Sequence, residues 1–322
     1  MESVLDKGGF ERATMIDLAQ RILRGEVSAV ARAATLIERR AEEAASLLQI
    51  LFPHTGKALV VGFAGAPGTG KSTLVDQTTR LLRSQGSSVG IIVVDLTTAH
   101  SGGGLLKARI DMMERDLDPD VFVRSVAPRG HVEAAVAEIA DLTVLLDAAG
   151  TDVVLIETMG AGDAEIEVAR QSEVVVLVLA PGAGETAPTP KTSVFELADV
   201  FAVNKADQPG VYDAELELHL RRGRAHRDDG WLPPIVRTIA TEARGIDELV
   251  SHIRAVHAIG GNSARQVDTW ELRLGEMLRD RLLHHFRRAE LCRAAHDIVE
   301  RRRDPYTILE EWQGRMQISH RS

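Results

Sequence analysis

Residues 65–73 read Gly-Ala-Pro-Gly-Thr-Gly-Lys-Ser-Thr and follow directly on the apolar run 58–64. At the spacing Gly65-x-x-x-x-Gly70-Lys71-Ser72, glycines let successive backbone N–H groups curl round a phosphate while a lysine reaches its oxygens. Gly65, Gly68 and Gly70 give the loop its freedom, and Thr69 belongs to the same cradle. A helix opening at Lys71 turns its positive end toward the anion. Ser72 then offers a hydroxyl to Mg²⁺, and Thr73 lies near the α-phosphate. The competing reading, a Gly/Pro surface turn, leaves the strand before and the helix after unexplained.

Asn204-Lys205-Ala206-Asp207 stands directly behind a later apolar run, at the carboxyl end of a strand, where open α/β sheets bind ligands. There the Asp207 carboxylate can accept from N1–H and N2–H₂ of guanine, a donor pair adenine lacks. The nucleotide expected is therefore GTP or GDP, with Asn204, Lys205 and Asp207 around the base. A backbone N–H at Ala240, after the last apolar run, can add a bond to guanine O6. Two acids lie between these stretches: Asp95 ends the second run and Glu157 the fourth. Strand-end carboxylates opposite a phosphate loop suit a Mg²⁺ ion or the orientation of a hydrolytic water. Lys71, Asp95 and Glu157 are thus the candidate catalytic groups, and Ser72, Asp95 and Glu157 the candidate Mg²⁺ residues. For each acid a plain helix N-cap is the simpler alternative.

The elements that must position these groups follow from periodicity. Short Val- and Ile-rich runs at 58–64, 89–95, 121–126, 153–157, 174–180, 200–204 and 235–238 alternate with helical stretches such as 71–85 and 131–149. That alternation describes βαβ units and a mostly parallel sheet buried on both faces. Ahead of it, Leu18, Ile22, Ala29, Ala33, Leu36 and Ile37 recur at helical spacing. Behind it, Trp270, Leu274, Met277, Leu278, Leu282 and Phe286 do the same. The expected layout is an N-terminal helical extension over 1–55, an α/β nucleotide-binding domain over 56–260 and a C-terminal helical arm over 261–322. The apolar stripe of that arm fits either packing on the body or pairing with a second copy.

Composition narrows the class. The net charge of −9 lacks the basic stripe a nucleic-acid protein needs. The lone cysteine, Cys292, rules out an internal disulfide or a multi-cysteine metal cage; it points to a reducing cytoplasm and reads as a packed thiol in a helix. No leader and no run long enough to enter a membrane is evident. The arginines at 221, 222 and 224 and at 301–303 read as solvated helix ends.

Five stretches together resemble the MeaB/ArgK-like G-protein chaperones of adenosylcobalamin-dependent methylmalonyl-CoA mutase, a branch of the SIMIBI P-loop GTPases. They are 65–73, 95–98 with the glycines at 102–104, 157–162, 181–184, and 196–199 leading into 204–207. The likeness extends to the flanking helices and covers nearly the whole chain. It implies a GTP-hydrolysing switch that docks on a B12-dependent acyl-CoA mutase and gates cofactor loading. It also implies a homodimer through the C-terminal arm. Departures accompany the matches. Ala108 stands where the family carries a Mg²⁺-side aspartate, Asp163 replaces an amide, and Pro188 and Pro190 stiffen the switch segment 185–191. The alternative function is a guanine-nucleotide-dependent interaction module that hydrolyses weakly. A nickel-insertion GTPase would want a Cys/His cluster, and a P-loop kinase would not need Asn-Lys-x-Asp.

Overall fold

The computed structural model describes residues 2–95, 118–126, 132–159, 163–182, 192–222, 231–260, 263–283, 286 and 288–319. It divides into two compact units, Met1–Val267 and Asp268–Ser322.

The first unit is built on a sheet with the order β3-β2-β4-β1-β5-β6-β7. Its strands are β1 (Leu59–Ala64), β2 (Val89–Asp95), β3 (Val121–Val126), β4 (Val153–Met159), β5 (Val174–Leu179), β6 (Val200–Val203) and β7 (Ile235–Arg237). Every pairing is parallel. All seven apolar runs have become strands, because β-branched runs of this length gain most when both faces are covered. The chain winds leftward from β1 and returns to the right at β5. β1 therefore lies at the point where strand order reverses, and open α/β sheets bind ligands beyond the carboxyl ends at such a point.

Three helices, α1 (Glu2–Leu23), α2 (Val27–Glu38) and α3 (Glu42–Leu51), precede the sheet. The expected extension packs as part of the core: Leu18, Ile22, Leu47 and Leu51 are fully buried in one cluster with Leu142 and Leu145 of α5 (Val132–Ala148) and Ile156 of β4. Each such side chain contributes about 2 kcal/mol on burial. Arg124 of β3 forks onto Glu38 at 2.8 and 2.6 Å, tying α2 to the sheet.

On the opposite face α4 (Lys71–Ser84) and α9 (Ile246–Ala258) cover Phe63, Val93, Leu155 and Val176. Entry into β1 is fixed by Asp147, whose carboxylate accepts from the N–H groups of Gly56, Lys57 and Ala58 at 2.6, 3.2 and 3.1 Å. The last turn of α4 is held by Arg83, which donates to Asp118 at 2.9 and 3.0 Å and to Asp120 at 2.6 Å. The Asp118 carboxyl is held below its usual range, chiefly by the bond from Arg83. The remaining helices of this unit are α6 (Asp163–Gln171), α7 (Thr192–Leu197) and α8 (Val211–Arg222).

The second unit contains most of α10 (Ser263–Leu283), then α11 (Arg288–Val299) and α12 (Pro305–Ser319). Phe286 stacks on Trp312 with ring centroids 4.6 Å apart. Leu274, Met277 and Leu278 of the apolar stripe remain more than half exposed. Two expectations need correction. Cys292 is exposed, because the inward stripe of α11 runs through Leu291, Ala294 and Ile298 and leaves the neighbouring position outside. Arg221 and Arg222 are engaged within the chain: Arg221 lies 4.4 Å from the Phe195 ring centroid, and Arg222 donates to the Pro233 carbonyl at 2.8 Å. No described helix is long and apolar enough to cross a membrane.

Candidate nucleotide site

After Ala64 the chain turns through 65–70 and enters α4 at Lys71. Gly65 has φ 139° and Gly70 φ 89°, conformations that a side chain disfavours. Neighbours enforce the same choice. A β-carbon on Gly65 would run into the Val178 carbonyl of β5, and one on Gly70 into Nδ2 of Asn204. Glycine there lets the loop lie tight against β5 and the loop after β6, and a glycine turn of this kind is the form that makes an anion-binding nest. Thr69 clips the loop, its hydroxyl donating to the Ala66 carbonyl at 2.9 Å. Gly68 lies exposed at the bend, and Thr73 is half-buried in the first turn of α4.

Lys71 is buried to 6% exposure, and its Nζ donates to the carbonyls of Gly65 and, at 2.9 Å, Ala66. An ammonium taken out of water requires such partners, and here they hold the cation within the phosphate loop. Ser72 donates its hydroxyl hydrogen to Glu157, a carboxylate buried at the end of β4. Asp95 closes β2 with its backbone opposite Met159; its side chain lies outside the described residues. So do Ala108, the glycines at 102–104 and the segment 185–191. Among the described residues no cluster of three or more His, Cys, Asp or Glu could hold a metal. The Ser72–Glu157 pair is an oxygen-only donor set, which suits a hard cation whose shell is completed by phosphate and water.

The loops after β6 and β7 are organised by Asn204, buried to 2% exposure. Its Nδ2 donates to the Thr69 carbonyl at 2.9 Å, while Oδ1 accepts from the Ala240 N–H at 3.1 Å and the Thr238 hydroxyl at 3.2 Å. The residue thus braces the phosphate loop, the loop after β6 and the loop after β7 against one another. Thr238, fully buried, was not legible as a site residue; the only signal was its position at the end of the last apolar run. Lys205 takes a left-handed φ of 57°, and its Cε lies 4.0 Å from where a β-carbon on Gly70 would stand, so its stem runs beside the loop. Asp207 is exposed one turn further on.

A glycine cradle ending strand β1, an ammonium within it, a helix N-terminus behind it and an Asn-Lys-x-Asp loop braced onto it together define a P-loop GTPase. Comparison with known proteins places the chain more narrowly. A family model described as methylmalonyl Co-A mutase-associated GTPase MeaB matches residues 30–291. A GTPase-named protein of Pyrococcus abyssi is 41% identical over 244 residues, covering 74% of this chain and 75% of its own length. GTPase ArgK of Escherichia coli is 32% identical over 245 residues, 74% of each. The crystal structure of an LAO/AO transport system kinase superposes with a TM-score of 0.68 at 26% identity, covering 95% of this chain and 98% of that one. The chain belongs to the MeaB family, and its activity is that of a GTPase.

Proposed function

We propose that this GTPase is a nucleotide-dependent chaperone that docks on an adenosylcobalamin-dependent acyl-CoA mutase such as methylmalonyl-CoA mutase and gates the loading and protection of its cofactor. The observation that carries the reading is the Asn204 brace in a chain of the MeaB family. One side chain joins the loop that would hold phosphates to both loops that would hold guanine.

In this reading Asp207 accepts from N1–H and N2–H₂, Ala240 shares its N–H between Asn204 Oδ1 and O6 as a three-centre bond, and Lys205 covers the base with its stem. Gly65, Gly68, Thr69, Gly70 and Thr73 cradle the phosphates, and Lys71 exchanges its bonds to the Gly65 and Ala66 carbonyls for phosphate oxygens. Ser72, Asp95 and Glu157 would hold Mg²⁺, which when bound neutralises charge on the β- and γ-phosphates. In hydrolysis, water attacks the γ-phosphorus, the bond to the bridging oxygen breaks, and GDP leaves with its electron pair. Glu157, buried beside Ser72, would orient that water.

Single-turnover GTP hydrolysis with and without the mutase tests the switch: a rate raised by the mutase is expected, and a rate the mutase never changes would refute it. The second reading, a module that hydrolyses weakly, is favoured by Ala108 in place of the family's aspartate and gains from that same negative result. Capture of the mutase by the GTP-loaded and GDP-loaded forms should differ if the protein reports nucleotide state. A homodimer through the C-terminal arm is supported by the exposed Leu274, Met277 and Leu278. Sedimentation should show Leu274→Glu, Leu278→Glu protein as monomer where the parent is a dimer.

A further inference from the structure

The loop carrying the Ala240 N–H hangs from β7, a strand of three residues that among the described residues pairs on one side only, with β6. So short an edge strand has few ladder bonds of its own, and the following loop draws on further support besides the Asn204 brace. Side chains of α8 supply it. Arg222 holds the chain before the strand through the Pro233 carbonyl at 2.8 Å. At the far end Arg237 donates to both carboxylate oxygens of Glu215, and its guanidinium lies 4.8 Å from the centroid of the Tyr212 ring.

These three residues connect the two loops assigned to the base. Tyr212 and Glu215 stand on the first turns of α8, which opens a few residues past Asp207. Arg237 immediately precedes Thr238, whose N–H bonds the Val203 carbonyl at 2.9 Å and whose hydroxyl reaches Asn204. Backbone packing adds stiffness here, since a β-carbon on Gly245 would collide with the Arg237 carbonyl. A fork between Arg237 and Glu215 therefore ties the helix that follows Asp207 to the strand end that precedes Ala240. Exposed ion pairs are generally worth little. This one is bidentate, stacked on a ring, and formed by a carboxylate with only 15% of its side chain exposed.

We propose that Glu215, Arg237 and Tyr212 are positioning residues for base recognition, setting the reach of the Ala240 N–H to the O6 of a 6-oxopurine. This rests on the guanine reading of Asp207 and Ala240. The consequence is chemically selective. Guanine and hypoxanthine both present O6, whereas 2,6-diaminopurine has the 2-amino group and no O6. Loosening the fork should weaken the first two alike and spare the third.

The test is competition binding of GDP, IDP and the diphosphate of 2,6-diaminopurine riboside to the full chain and to Glu215→Gln and Arg237→Gln. Loss of one neutral-strength hydrogen bond predicts dissociation constants for GDP and IDP raised by about three- to tenfold, with the diaminopurine nucleotide unchanged. Its unchanged binding also shows that the variants are folded. The exchange Glu215→Arg with Arg237→Glu should restore GDP and IDP. Equal weakening of all three nucleotides, or unchanged GDP binding, overturns the inference. A parent protein that does not prefer GDP to ADP overturns the guanine reading itself, and this proposal with it.

Discussion

Asn204→Ala is the perturbation that probes the site most directly, because it removes one buried side chain and leaves three partners behind. The Thr69 carbonyl loses its donor at 2.9 Å, and the Ala240 N–H loses its acceptor at 3.1 Å. The Thr238 hydroxyl can rotate toward another acceptor, so it is not counted. Two orphaned backbone groups on buried residues, at about 1–3 kcal/mol each, give a loss of about 4 kcal/mol. For a unit of this size that lowers the thermal midpoint by about 10 °C. Asn204→Asp separates the contributions. It keeps Oδ1 for Ala240 and Thr238 but turns a carboxylate oxygen toward the Thr69 carbonyl, so the phosphate loop is pushed away while the base loop stays. Thermal unfolding of the nucleotide-free proteins, followed by circular dichroism, measures the first quantity, and binding of a fluorescent GDP the second. If Asn204→Ala unfolds within about 2 °C of the parent, near the 1 kcal/mol level, the brace is not what holds the three loops and the argument built on it fails.

Further outcomes follow from other parts of the fold. Gly65→Ala forces a β-carbon against the Val178 carbonyl at a positive φ and should weaken GDP binding by at least about tenfold, read by the same fluorescence titration. Ala243 holds a left-handed φ of 54° at the end of the turn after Ala240, so Ala243→Gly should raise stability by about 0.5–1 kcal/mol in urea unfolding, and a loss instead would show that the strain is absent. Asp118 has its folded carboxyl below the ordinary 3.8, so its stabilising effect is present in full above that value and is lost as pH falls through the lower folded one. Asp118→Asn should therefore lower the urea midpoint at neutral pH and approach the parent in acid, once pH has fallen through the lowered folded value; a difference that persists in acid would contradict the Arg83 pairing.

The amino-acid sequence by itself determined which local structures form and which chemistry they could carry. Val- and Ile-rich runs of strand length became the seven strands. The glycines at 65, 68 and 70 with Lys71 have the spacing of a phosphate-cradling loop, and Asn204 to Asp207 that of a turn suited to reading a base. Each of these signals lies within about ten consecutive residues, where propensity and backbone sterics act directly. Only the tertiary structure decided what each residue does once the strands are ordered. Placing β4 and β5 beside β1 brings Glu157 onto Ser72 across 85 residues of chain, and the loop after β6 brings Asn204 onto Thr69 across 135. Asn204, which the sequence offers as a base ligand, emerges as the brace between loops, Thr238 joins it unannounced, and Cys292 turns outward. Periodicity records which face of an element is apolar and not which other element will cover it. Contacts at those separations depend on strand order, which is set by packing of the whole sheet.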